Sequence, residues 1–147
     1  MKTNLYKICV EKLRDKRITI ETRLQAVQHS LSSESKSTAG DKHETGRAML
    51  QLEREKLGEQ LKQLEISEKT LQRINPEKQN DKVALGTCVE TDTMNYYIAI
   101  SLGKIEVNGN VFFAISAEAP IAKLLLGRKE NDTFTFRGNN ITIRNIS

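Results

Sequence analysis

No run of apolar residues in the 147-residue chain approaches the ~18 that a membrane-crossing helix needs, so no membrane partner is expected. Cysteine is scarce. Cys9 and Cys88 are too few for a disulfide framework and match no metal-ligand spacing, so they are read as reduced thiols packed as small hydrophobes. His29 and His43 lie far in sequence from both cysteines, which leaves little support for a cysteine–histidine nucleophile. Charge of one sign is also lacking: Lys+Arg 23 against Asp+Glu 19 gives +4, which by itself does not imply nucleic acid. The start, MKTNLYKICVEKLRDK, returns to charge too soon for a signal peptide, and a cytoplasmic protein is expected. There is no internal repeat, and the serine-rich SLSSESKST is short enough to be a bend.

The two prolines, Pro76 and Pro120, leave residues 3–74 uninterrupted. Between residues 3 and 31, Tyr6, Val10, Leu13, Arg17, Ile20, Leu24, Val27 and Leu31 alternate steps of three and four, a heptad seam with one charged member. From about 44 to 74, Leu50, Leu57, Leu64 and Leu71 recur every seven residues, with Leu61 between them and Arg47, Arg54 and Glu68 as charged members. Each narrow stripe must be buried against something, and the short link SSESKSTAGD makes an antiparallel partner the simplest answer. Folding the chain near residue 38 sets Val27 by Leu50, Ile20 by Leu57, Leu13 by Leu64 and Tyr6 by Leu71. Helices of about 28 to 30 residues would make a hairpin roughly 40 to 45 Å long.

INPEKQNDKV ends that period, because Pro76 fits a helix poorly and Asn80 and Asp81 form turns. Beyond it, VALGTCVET, NYYIAISLG, KIEVNG, NVFFAIS, TFTFRG and NITIRNI are short, β-branched or aromatic segments, and read as strands. Asn108-Gly109 and Gly138-Asn139 supply the positive-φ residues of tight hairpins. PIAKLLLG reads as a short helix with Pro120 in its first turn and Gly127 past its end. The expected class is α+β: an antiparallel coiled-coil hairpin over 1–75 with an acidic tip near 37–46, a linker at 76–82, and a small sheet domain over 83–147.

The tip reads STAGDKHETGRAM. Asp41 and Glu44 are three apart, so their carboxylates can emerge together from a first helical turn. Two hard oxygen donors suit Mg²⁺, which commonly takes one or two protein carboxylates and completes its shell with water and phosphate. The same D-x-x-E is also a capping box, and acids at a helix N-terminus are favoured by its dipole. Spacing alone favours the cap.

GDKHE at a helical tip, followed by a polar linker and a small sheet domain ending ISAEAPIAKLLLGRKENDTFTF, resembles the Gre family of bacterial transcript cleavage factors, GreA and GreB. The tip matches the family's Gly-Asp-x-x-Glu at Gly40, Asp41 and Glu44. The later stretch is similar to its Ser-Pro-(Ile/Leu)-(Ala/Gly)-basic-x-Leu-(Leu/Ile)-Gly-basic pattern at Pro120, Ile121, Ala122, Lys123, Leu125, Leu126, Gly127 and Arg128. Where the family continues past the glutamate with Asn-Ala and a further Glu-Tyr, this chain has Thr45, Gly46, Arg47 and Ala48; Ala119 and Asn131 replace a serine and a glycine.

The resemblance implies a hairpin inserted through the secondary channel of RNA polymerase and an FKBP-like C-terminal domain held at the rim. Pro120, Ile121, Lys123 and Arg128 are then candidates for polymerase binding. Asp41 and Glu44 would help hold a Mg²⁺ shared with the polymerase active site, with none bound in isolation, and would assist hydrolysis of backtracked RNA. Such a protein is a monomer that stimulates the polymerase's own cleavage and is not a stand-alone enzyme. Lys42, Arg47 and Arg54 are candidates for contact with the RNA 3′ end. Arg47 and Arg54 also fall on the seam and could snorkel from it, while Lys36 and Lys56 read as solvated surface. Tyr96, Tyr97, Phe112, Phe113, Phe134 and Phe136 could form a binding face, but at strand spacing they read as core. Two alternatives stay open: a channel-binding regulator without cleavage, and a coiled-coil interaction module.

Overall fold

The computed structural model describes residues 1–35 and 40–147, and the side chains of 34–43 fall outside that description. The expected bend near residue 38 and Lys36 therefore lie outside the described residues.

Two long helices come first, α1 (Lys2–Ser35) and α2 (Gly40–Gln72). Neither contains a proline, and the seam that the heptad period marks is the buried one: Leu13, Ile20, Val27 and Leu31 on α1, and Leu57, Leu64 and Leu71 on α2. Contacts divide the chain into two compact units, Lys12–Glu68 on one hand, and Met1–Glu11 with Lys69–Ser147 on the other.

In the Lys12–Glu68 unit the helices pack antiparallel. Leu57 forms a cluster with Val27 and Leu31, against which Leu24 and Leu50 rest half-buried. Leu57 thus packs nearer the C-terminal end of α1 than the Ile20 partner expected from folding about residue 38. Two of the charged seam members, Arg17 and Glu68, pair with each other. Arg17 donates from Nε and Nη2 to the Glu68 carboxylate at 3.1 and 2.5 Å, and from Nη1 to Glu21 at 2.8 Å. Glu65 lies 3.9 Å from Nη2. These bonds hold the Glu68 carboxyl below its ordinary value and raise the Arg17 guanidinium.

The other unit contains a six-stranded mixed sheet: β1 (Cys88–Thr91), β2 (Asn95–Ala99), β3 (Gly103–Val107), β4 (Asn110–Ser116), β5 (Thr133–Phe136) and β6 (Asn139–Ile146), with α3 (Pro120–Leu125) between β4 and β5. The spatial order is β3-β4-β2-β1-β6-β5. All neighbours are antiparallel except β2 and β4, which run parallel, as the crossover through β3 requires. Helices followed by a mixed sheet and a short helix make the chain α+β.

Strand residues alternate between faces. On one face Val89, Tyr96, Ile98, Phe134, Ile141 and Ile143 form a core with Ile121, Ala122 and Leu125 of α3. On the other, Cys88, Tyr97, Phe112 and Ala114 are also buried. Tyr97 lies within electrostatic range of Tyr6, Cys9 and Cys88, which sets the first turns of α1 beside this second face. Tyr6 Oη donates to the Leu71 carbonyl at 3.1 Å, the expected pairing at that level. The aromatic residues are core: Tyr96, Tyr97, Phe112 and Phe134 are buried, with Phe113 and Phe136 half-buried against them.

Asn108 and Gly109 take φ of 51 and 81°, as a two-residue hairpin requires. The second tight turn falls one residue earlier than expected, at Arg137 and Gly138, with φ of 51 and 81°. Phe136 pairs with Asn139, which puts Asn139 in the strand and leaves Arg137 to adopt the left-handed conformation. Gly86, before β1, has φ of 90°, and a Cβ there would stand 2.9 Å from Ile74 Cγ2. Among the described residues, no helix is long and apolar enough to cross a membrane.

Candidate functional site

α2 is described from Gly40 onward, and Asp41 and Glu44 both lie within it. Positions 41 and 44 share a face by their three-residue spacing. Glu44 is exposed. The side chains of Asp41 and Lys42 lie outside the described residues.

Two carboxylates make a donor set that suits Mg²⁺ only in part. Among the described residues no three His, Cys, Asp or Glu side chains gather.

Arg47 and Arg54 are both exposed, although the heptad count puts them on the seam. Arg47 Nη1 donates to the Leu31 carbonyl at 3.1 Å, which brings a cation to the last turn of α1, where the helix dipole favours it. Gly46 sits half-buried within an unbroken α2. Met49 and Leu52, three apart on α2, are 67% and 66% exposed. Sequence reading passed over both because they fall outside the leucine repeat.

In the C-terminal stretch, Pro120 opens α3 and is exposed, and Lys123 is exposed with its Nζ 4.0 Å from Glu118. Ile121 turns inward to the core under α3. Arg128 Nε donates to the Leu124 carbonyl at 2.6 Å, and its Cζ stands 5.0 Å from the centre of the Phe134 ring. The structure therefore brings Pro120, Lys123 and Arg128 to the surface of one short segment, joined by the partly exposed Leu124 and Leu126. Three successive leucines at the end of so short a helix were the signal for this, since Leu125 alone of them is buried while Leu124 and Leu126, the latter just past the helix, are exposed.

A second polar cluster went unnoticed in the sequence. Lys2 is buried and donates to the Lys78 carbonyl, and burial lowers its ammonium. Cys88, close to Lys2, has its thiol pushed up to about 12, chiefly by burial. Tyr97 Oη is buried with no hydrogen-bond partner among the described residues, and burial raises the phenol. Raised thiols and phenols stay protonated and unreactive near neutral pH, so this cluster is structural. Neither cysteine is in a disulfide.

No protein-family model matches the chain, and no curated protein matches it.

Proposed function

We propose that the protein is a Gre-like transcription elongation factor that binds the secondary channel of RNA polymerase and stimulates cleavage of backtracked RNA through Asp41 and Glu44. The observation that carries this reading is Gly-Asp-x-x-Glu at the start of the second of two antiparallel helices, in a chain that continues into an α+β domain bearing the Pro120–Arg128 motif. Within the Lys12–Glu68 unit the α2 segment is about 40 Å long at ~1.5 Å per residue, enough to carry side chains into a channel that a compact domain cannot enter.

In this reading Asp41 and Glu44 hold one face of a Mg²⁺ whose other ligands come from the polymerase and the RNA. Bound there, the ion would activate water and stabilise the charge of an in-line displacement at phosphorus. The chain itself would supply position and charge: both acids belong to α2, and Arg47, tethered to the Leu31 carbonyl, would meet a phosphate. Lys42 and Arg54 extend that basic path. The sheet domain is FKBP-like in this reading and meets the polymerase through Pro120, Lys123 and Arg128. The protein acts as a cytoplasmic monomer and leaves the phosphodiester chemistry to the polymerase.

The test is the length of RNA in backtracked elongation complexes given wild type or Asp41→Asn/Glu44→Gln. Shortening by wild type alone supports the reading. A second reading, a channel-binding regulator without cleavage, is favoured by Thr45, Gly46, Arg47 and Ala48 after the acidic pair. Its signature is inhibition of elongation or initiation with full-length transcripts.

A further inference from the structure

β5 ends the sheet and, among the described residues, pairs with β6 alone. The Arg137-Gly138 turn makes Phe136 and Asn139 its first pair, which exchanges both backbone hydrogen bonds, and an antiparallel ladder then alternates. Phe134 and Phe136 thus direct their N–H and C=O groups to β6. Thr133 and Thr135 direct theirs to the open side. Thr142, opposite Thr133, agrees with this pattern, because its N–H and C=O bond Asp92 on the side away from β5.

The side chains of β5 are equally divided. Thr133 and Thr135 occupy one face, with Thr133 Oγ1 3.4 Å from Thr142 Oγ1 and Thr135 Oγ1 donating to Asn140 Oδ1 at 2.9 Å. On the other face each phenylalanine carries a guanidinium, Arg128 Cζ at 5.0 Å from the Phe134 ring centre and Arg137 Cζ at 4.9 Å from that of Phe136. Phe134 and Phe136 are two apart on the strand, a spacing of about 7 Å, and each has one cation beside its ring. The adjacent acids are engaged elsewhere: Asp132 Oδ2 accepts from the Lys129 N–H at 2.8 Å, and Glu130 Oε1 from the Ile146 N–H at 3.3 Å.

We propose that the open edge of β5 docks an extended acidic segment of another protein, which adds to the sheet as a further strand. Backbone bonds to Thr133 and Thr135 supply the pairing, and carboxylates on alternate residues of the segment meet Arg128 and Arg137. Charge argues against a second copy of this chain as the occupant, since pairing two β5 edges would set these arginines against each other. The inference does not depend on the tip acids, and cleavage assays do not bear on it.

The full chain, ¹⁵N-labelled, is titrated with a synthetic octapeptide of alternating valine and glutamate, and separately with its valine–lysine counterpart. Saturable amide shifts centred on residues 133–136 are expected with the glutamate peptide, and binding at least about tenfold weaker with the lysine peptide. Arg137→Asn keeps the turn, because asparagine tolerates positive φ, and should weaken binding several-fold. Thr135→Pro removes one outward N–H at an edge position where proline is tolerated, and should abolish binding. If that variant unfolds the β5–β6 hairpin, Arg137→Asn with Arg128→Gln decides. Absence of saturable shifts, equal response to both peptides, or unchanged binding by Arg137→Asn overturns the proposal. Concentration-dependent shifts at β5 without peptide would assign the edge to a second copy and overturn it too.

Discussion

Gly86 and Tyr97 are single residues at which the fold can be tested without reference to function. Gly86 combines a φ of 90° with a neighbour, Ile74, that any Cβ would strike. Gly86→Ala should therefore destabilise the protein by roughly 2 kcal/mol in chemical denaturation, from backbone strain and displacement of Ile74 together. Tyr97 makes the opposite case. Its hydroxyl is buried with no partner among the described residues, so Tyr97→Phe removes an unsatisfied group and should leave stability unchanged or raise it by up to about 1 kcal/mol. A clear loss of stability would mean that the hydroxyl has a partner. The thiols give a third test: Cys9 and Cys88 are buried, and the Cys88 thiol is pushed up to about 12. Ellman's reagent should label neither in the native protein and both after unfolding. At this scale the sequence was only partly legible. Asn108-Gly109 announces its turn by composition, whereas Arg137 at positive φ does not, because there the strand register overrides residue preference. The isolation of Tyr97 Oη depends on which groups α1 brings to the sheet, which no local pattern encodes.

Among the elements, α1 and α2 were the most legible, since a seven-residue period over four or more turns has few other interpretations. What the period could not give is which charged seam residues meet. Arg17 pairs with Glu68, while Arg47 and Arg54 leave the seam for solvent, because a long cationic stem can cover apolar surface and still reach water or a helix end. The Arg17–Glu68 bonds have a pH consequence. The folded-state pKa of Glu68 lies below its ordinary 4.5, so the stabilisation is present above that value and is lost as pH falls through the lowered one. Wild type should unfold at a higher temperature than Glu68→Gln at pH 7, and the difference should shrink steadily below pH 4.5. A difference unchanged down to pH 2 would contradict the pairing. Solvent reaches both side chains, so the effect is small, and added salt should reduce it further.

For the whole molecule, the order of helices, linker and strands was readable because the hydrophobic period changes at Pro76 from heptad to alternating. The division into units was less so: the first turns of α1 and the end of α2 belong with the sheet, since Leu5, Cys9 and Leu71 are buried there. The heptad runs through that boundary without marking it. The functional claim rests on two motifs held in one chain, the acidic pair Asp41 and Glu44 of α2 and the Pro120–Arg128 segment of the sheet unit. The most direct test is the rate of 3′-fragment release from backtracked RNA in RNA polymerase complexes, with wild type and Asp41→Asn/Glu44→Gln at matched occupancy of the polymerase. The account predicts rapid release with wild type and a rate at least about a hundredfold lower with the double variant, the scale expected for removing groups that act on the transition state. Equal binding with no release by either protein would contradict it and leave a channel-binding regulator in its place.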